Sequence, residues 1–401
     1  SVYFYTTSPI RTPLVAQFSS KGPTLYGTFK PDIAAPGSRI TSARVTSTMP
    51  TRLMASKVLT NLVAYSGTSM ATPFISGEAV LLRQYFDKVF GFSNPSSSLL
   101  KATLISATRD STSLFAGHGV PILDNIVDRH FQFINGQSIG PEKHHTYVVD
   151  VDNGEYLSIA LSYTDPPELF ITSGRAMYID LDLIVETPNG TTLIGNSISQ
   201  EEHQFSANER VLIQSPRAGQ YKIHVFSSVF DDVSDVSYSI AVSGSITSSG
   251  ELKPTPSRCI KGCSGSGKCK DAVCLCNSTT TGRFCQNEVK EVEENVDEFV
   301  EIAPLKVVYR KLKLTKKVDA KSYINITMRG YGPLQTGRLC ISTYERIEPI
   351  ASPNWVCSMI PGDVNVSIKE NAKDHIYLAF SGVSEREIDL DVNFTRVDTE
   401  V

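Results

Sequence analysis

The chain has 401 residues, 41% of them hydrophobic, and its 38 Lys+Arg against 42 Asp+Glu leave a formal net charge of −4. That composition belongs to a globular protein with a domain count of roughly two to four, and it excludes disorder, collagen and coiled coil as the main architecture. No basic surplus argues for nucleic acid as a partner, and no stretch reaches the ~18 apolar residues of a membrane-spanning helix.

The opening Ser1-Val2-Tyr3-Phe4-Tyr5 has no initiator Met and no charged segment before an apolar core. It reads as the continuation of a longer chain and not as a signal peptide. Residues 1–138 alternate short β-like runs with two helical patterns, which predicts part of an α/β sheet. The first helix is expected from about Ser69 to Phe86, with Ala71, Ile75, Ala79 and Leu82 on one face. The second follows Asn94-Pro95-Ser96-Ser97-Ser98, a stop-and-cap cluster, and carries Leu99, Ala102, Leu104, Ile105 and Ala107.

Over residues 139–246 the pattern changes to short strands between turn clusters. Tyr147–Val151, Leu157–Leu161, Asp182–Val185, Tyr221–Val225 and Tyr238–Val242 are examples, separated by Asp165-Pro166-Pro167, Pro188-Asn189-Gly190 and Ala218-Gly219. Regular strands without helices predict an antiparallel β-sandwich. Residues 247–258 read as a polar linker and 286–304 as an acidic one, since seven acids between Glu288 and Glu301 face the single Lys290. Residues 305–401 alternate again, as in Tyr323–Thr327 and Ile376–Phe380, and predict a second β-sandwich.

None of the 8 cysteines precedes Cys259. Cys259, Cys263, Cys269, Cys274, Cys276 and Cys285 form one cluster, while Cys340 and Cys357 are spaced to staple the last domain. An even count in a dense cluster predicts disulfides, and zinc is disfavoured because no His lies within it. Five sequons, at Asn189, Asn277, Asn325, Asn365 and Asn393, accompany the cysteines. Both features point to a secreted or cell-surface glycoprotein.

The segment Tyr65-Ser66-Gly67-Thr68-Ser69-Met70-Ala71-Thr72-Pro73 concentrates the chemistry. A serine entering an apolar helical pattern sits at a helix N-terminus, where it either caps the helix or acts as a nucleophile. In the second case its own N–H and the helix dipole stabilise a developing oxyanion. Gly67 leaves room for a substrate chain, and Pro73 is expected in the first turn, where its missing donor costs little.

Gly67-Thr68-Ser69-Met70-Ala71-Thr72-Pro73 resembles the nucleophile motif of the subtilisin-like serine peptidases. Phe18-Ser19-Ser20-Lys21-Gly22-Pro23-Thr24 and Lys30-Pro31-Asp32-Ile33-Ala34-Ala35-Pro36-Gly37 are similar to segments that precede it in that family. Gly117-His118-Gly119-Val120 falls where the family has a Gly-x-Gly, and Phe74 stands where it often has His. The resemblance implies that residues 1–138 are the C-terminal portion of a catalytic domain. It implies a serine endopeptidase acting through an acyl-enzyme on Ser69, with Tyr65, Ser66, Gly67 and Thr68 lining the cleft.

The family's Asp, His and oxyanion Asn all precede the serine, and none is found among the 68 residues before Ser69. His118, His130, His144, His145, His203, His224 and His375 all follow it. Asp32 reads as a structural carboxylate, Asp110 lies on the wrong side of Ser69, and His118 reads as a loop residue. This chain alone is therefore expected to be inactive, and a longer form active on protein or peptide substrates. The rival reading is a non-catalytic adhesion or interaction protein on a degenerate subtilase scaffold.

Leu161-Ser162-Tyr163-Thr164-Asp165-Pro166-Pro167, Asp180-Leu181-Asp182-Leu183 and Gly195-Asn196 resemble the jelly roll that follows the catalytic domain in many subtilases. Asp165, Asp180 and Asp182 read as solvated acids or as ligands of a structural calcium ion. The chemistry itself requires no cofactor. The spacing of residues 259–285, with Gly265, Gly267 and Gly282, resembles an EGF-like module. Spacing alone leaves ~15 pairings of six cysteines open. The resemblance implies Cys259–Cys269, Cys263–Cys274 and Cys276–Cys285, in a spacer or surface-contact module.

Overall fold

The computed structural model describes residues 2–4, 14–22, 24, 28–44, 62–110, 112–113, 115–165, 177, 179–196, 206–227, 235–302, 307–316, 318, 322–330, 337–342, 356–360, 364–368, 374–382 and 388–398. The chain is mostly β-sheet with few helices. Helix α1 spans Thr68–Phe90 and α2 spans Ser97–Ser106. The Ser96 hydroxyl accepts the Leu99 N–H at 3.0 Å, so the expected serine cluster does cap α2. A single-turn α3 follows at Asp124–Val127.

The parallel sheet expected around these helices is small. Among the described residues it amounts to Val2–Phe4 beside Ala35–Pro36, with Leu14–Val15 antiparallel on the other side. A separate antiparallel pair joins Ile40–Ala43 to Leu62–Tyr65. So few strands cannot cover a 23-residue helix. Phe74, Val80, Leu81 and Val89 of α1 are exposed, while Leu82 and Phe86 are wholly buried.

α2 is buried instead against the strands that follow. Leu99, Ala102 and Ile105 share one core with Leu82, Phe86, Phe131, Phe133, Ala160 and Ala241. The last four belong to a five-stranded sheet ordered Asn208–Gln214, Tyr156–Tyr163, Val236–Gly244, Phe131–Ile139, Gly250–Glu251. A second five-stranded sheet is ordered Thr192–Ile194, Leu181–Glu186, Gly219–Ser227, His144–Val151, Pro254–Thr255. Tyr147, Val149 and Val151 of this sheet meet Leu157, Ile159, Leu161 and Ile240 of the first across a common core. All five strands expected from turn spacing in this region are present.

Two expected linkers prove to be structured. Residues 247–258 add an edge strand to each sheet, Gly250–Glu251 beside Phe131–Ile139 and Pro254–Thr255 beside His144–Val151. The acidic stretch forms Asn287–Glu293 and Asp297–Ile302. Its acids hide an alternation that sends Val292, Val300 and Ile302 into the last core.

The cysteine cluster forms three bridges, Cys259–Cys269, Cys263–Cys274 and Cys276–Cys285, around the two-stranded pair Gly267–Lys270 and Val273–Cys276. The last region has a six-stranded sheet ordered Thr280–Thr281, Asn287–Glu293, Val307–Lys313, His375–Gly382, Gly337–Ser342, Val356–Ile360. Facing it is a four-stranded sheet ordered Asp297–Ile302, Ile388–Asp398, Ser322–Gly330, Val364–Ile368. Leu312, Ile376, Leu378 and Phe380 pack against Ile324, Ile326, Met328 and Phe394 between them. Cys340 is disulfide-bonded, and the register sets it opposite Cys357.

Candidate active site

The Tyr65–Ser69 segment is held by the Gly37 turn that the sequence places 28 residues earlier, at the end of the Lys30–Gly37 run. The Gly67 N–H donates to the Gly37 carbonyl at 2.8 Å, and the Arg39 N–H donates to Ser66 Oγ at 2.8 Å. Tyr65 pairs with Ile40 in the adjoining ladder. Two separated motifs are thereby fixed to one another just before α1 begins.

The helix cap is Gly67 and not Ser69, and no side chain caps this end. Ser69 therefore lies in the first turn with its side chain exposed. Met70 and Ala71 donate back to the Gly67 carbonyl at 3.1 and 3.4 Å. The N–H groups of Thr68 and Ser69 have no acceptor among the described residues and head the positive end of the helix dipole. An exposed hydroxyl beside two free amides is an arrangement suited to acyl transfer. Pro73 lies one turn deeper than expected, inside α1, so Ser69 loses the amide that would bond its carbonyl from four residues on.

The Gly-x-Gly segment braces the same region from behind. His118 donates its N–H to the Asp32 carbonyl at 2.9 Å, and Ala34 donates to the Gly119 carbonyl at 2.9 Å. A side chain on Gly117, at φ 66°, would meet the Pro31 oxygen at 2.2 Å, so only glycine closes this contact. Asp32 pairs with Lys30 at 2.8 Å and accepts Asn208 Nδ2 at 3.0 Å. It acts as a structural carboxylate.

Among the described residues, no histidine is hydrogen-bonded to Ser69. His118 is fully buried beside Phe29, and neither ring nitrogen has a hydrogen-bond partner among the described residues. Burial, then the nearby Arg210 and Lys30 charges, hold it neutral well below the usual histidine range. His130 and His145 bond Ser249 and the Tyr238 hydroxyl. His375 packs on Tyr377. His203 lies outside the described residues.

His144 and His224 form a buried pair where the sheets meet the cysteine-rich segment. The Ala272 carbonyl accepts from His144 Nδ1 at 2.9 Å, so a neutral His144 ring accepts from His224 Nδ1 through Nε2 at 3.0 Å. Burial pushes His144 down to about 4 and His224 down to about 3. At the same junction Arg283 bonds Asp182 and approaches Asp180 at 3.5 Å. Asp180 and Asp182 are buried beside this guanidinium and are not solvated acids, the first of the two readings the sequence offers. Asp165 Oδ1 accepts the Ile179 N–H at 2.8 Å.

Sequence reasoning missed Arg210. Its guanidinium, 3% exposed, donates to Thr108 Oγ1 and to the carbonyls of Asp110 at 2.5 Å and His118 at 3.0 Å, with Thr112 Oγ1 at 3.2 Å. It clamps the strand Asn208–Gln214 to the end of α2 and to the Gly-x-Gly segment. The only signal was a lone Arg in the run Asn208-Glu209-Arg210-Val211-Leu212-Ile213, whose first four residues are buried.

The model of the Subtilase family matches residues 10–131. Among relatives, the serine protease/ABC transporter B family protein tagD of Dictyostelium discoideum is 44% identical over 106 residues, covering 23% of this chain and 6% of its own. tagA of the same organism is 27% identical over 268 residues, covering 56% of this chain and 15% of its own. The serine protease AprX of Bacillus subtilis is 49% identical over 71 residues, covering 18% of this chain and 16% of its own. The chain thus spans between 6% and 16% of these relatives. Among the described residues, no helix is long and apolar enough to cross a membrane.

Proposed function

We propose that the chain is part of a secreted or cell-surface serine endopeptidase in which Ser69 is the nucleophile. The observation that carries this is the exposed Ser69 hydroxyl in the first turn of α1, next to N–H groups of Thr68 and Ser69 that have no acceptor among the described residues. Ser69 Oγ attacks the scissile carbonyl, its proton passes to a histidine base, and the first-turn amides hold the oxyanion. That base, its orienting Asp and an Asn donor come from outside these 401 residues. Tyr65, Ser66, Gly67 and Thr68 line the cleft for a protein or peptide substrate. No cofactor takes part.

In this reading residues 1–138 complete a catalytic domain, 139–246 form a jelly roll that stabilises it, and 259–285 form an EGF-like spacer. The last β-sandwich then begins at Asn287 and not after residue 304. Ser69→Ala in the longer natural protein should lower hydrolysis of an unfolded protein substrate by roughly 10⁴-fold or more. A fluorophosphonate should label Ser69 there and leave the 401-residue chain unlabelled. A natural protein that stays inert while folded would decide for the interaction reading. Labelling of the 401-residue chain alone would place the base within it.

A further inference from the structure

Three sequons of the last region, Asn325-Ile326-Thr327, Asn365-Val366-Ser367 and Asn393-Phe394-Thr395, lie on three neighbouring strands of the four-stranded sheet. They are in register. Thr327 stands opposite both Asn365 and Asn393, and Asn325 stands opposite both Ser367 and Thr395. Two rows cross the sheet in this way, Asn393–Thr327–Asn365 and Thr395–Asn325–Ser367.

Strand periodicity gives the rows their face. Residues two apart share one side of a sheet, so the Asn and the hydroxyl residue of a sequon point one way and the middle residue the other. Ile326 and Phe394 are wholly buried in the core between the two sheets. Asn325, Thr327, Asn393 and Thr395 therefore lie half-buried on the outer face. A slip of one residue in either strand would send its sequon inward, which the apolar middle residues forbid. Neighbouring strands lie about 4.8 Å apart, which sets the three asparagines within about 10 Å of one another. Asn189 and Asn277, by contrast, occupy separate exposed turns.

We propose that this outer face is a glycan-bearing face, with N-linked oligosaccharide on Asn325, Asn365 and Asn393. The proposal rests on the reading of the chain as a secretory-pathway protein. The donor is a lipid-pyrophosphate-linked oligosaccharide. The Asn Nδ2 attacks its anomeric carbon, a C–N bond forms, the C–O bond to pyrophosphate breaks, and Nδ2 gives up one proton as the lipid pyrophosphate leaves. In the folded sheet Asn393 Nδ2 donates to Asp297 Oδ1 at 2.8 Å, and Thr395 Oγ1 donates to Asn393 Oδ1. Transfer therefore precedes closure of the sheet. The substituted nitrogen keeps one N–H, so the bond to Asp297 survives modification.

The test is site-by-site mapping on the full chain secreted from a eukaryotic host. Enzymatic removal of N-glycans in ¹⁸O water converts each occupied Asn to ¹⁸O-labelled Asp, which peptide mass spectrometry reads. Label is expected at Asn325, Asn365 and Asn393, and Thr327→Ala, Ser367→Ala and Thr395→Ala should each erase it only at the Asn two residues before. Absence of label at any one of the three in the parent chain overturns the proposal. If Asn189 or Asn277 then carries label, the secretory reading stands without the glycan face; if no Asn is labelled, both fall together.

Discussion

The two sides of the α2 contact make an instructive pair. Both are rich in apolar residues, yet the paired sheets bury most of theirs while α1 leaves Val80 64% and Leu81 56% exposed. The sheets bring their own partner, since each inner face covers the other and no further element is needed. α1 buries Leu82 and Phe86 against strands from the following region and, near its start, the small Ala71 against Ala16 and Ala35. Local helical signals are enough to shape α1, whereas covering it requires surface that the described residues do not supply. The candidate nucleophile sits at the end of the poorly covered element, and Arg210 anchors the segments behind it.

The contrast is broken most directly by matched truncations. Ile240→Ala in the sheet core should cost about 2–5 kcal/mol, because it opens a cavity among fully packed side chains. Leu81→Ala should change stability by no more than about 0.5 kcal/mol, since its side chain loses little contact. Urea unfolding of the full chain measures both. Equal losses would mean that Leu81 is covered in solution, and the division between the two regions would fail.

Arg210→Met sharpens the comparison at the seam. The substitution keeps an apolar stem but strands the Thr108, Asp110 and His118 acceptors, which should cost about 2–4 kcal/mol. Burial pushes the guanidinium only down to about 10, so it stays charged at neutral pH. Local hydrogen exchange should rise most at the end of α2 and around Gly117–Gly119. Uniform exchange over the whole chain would show that Arg210 stabilises its own strand and not the seam.

What the sequence disclosed follows the range of the forces involved. α1, α2 and the strands of the paired sheets repeat their apolar residues within a few positions, so periodicity reveals them. The candidate segment around Ser69 was legible because one contiguous motif carries it. The Arg210 clamp was not, because its partners lie 92–102 residues away and nothing local marks the pairing. The Glu288–Glu301 stretch was misread for a different reason. Its outward acids dominate the composition, while the inward Val292, Val300 and Ile302 are too few to stand out.

The smallest expected effect per side chain concerns acid at the other end of the paired sheets. His144 and His224 are buried and neutral, and His145, Lys222, Glu186 and Arg283 are the charged or titratable groups around them. Each folded value lies below the ordinary 6.5, so the unfolded chain binds more protons once pH drops below that value. Their contribution is full above about pH 6.5 and is lost as pH falls toward about 4 and about 3. Between pH 7.5 and 5 the unfolded chain takes up protons that both buried rings refuse, which should cost about 2 kcal/mol for each ring. Carboxylates titrate near the same range, so a His144→Gln/His224→Gln variant isolates the effect. Its urea midpoint should fall less steeply with acid than that of the parent chain. Parallel slopes in the two proteins would show that both rings gain protons without disturbing the junction with the cysteine-rich segment.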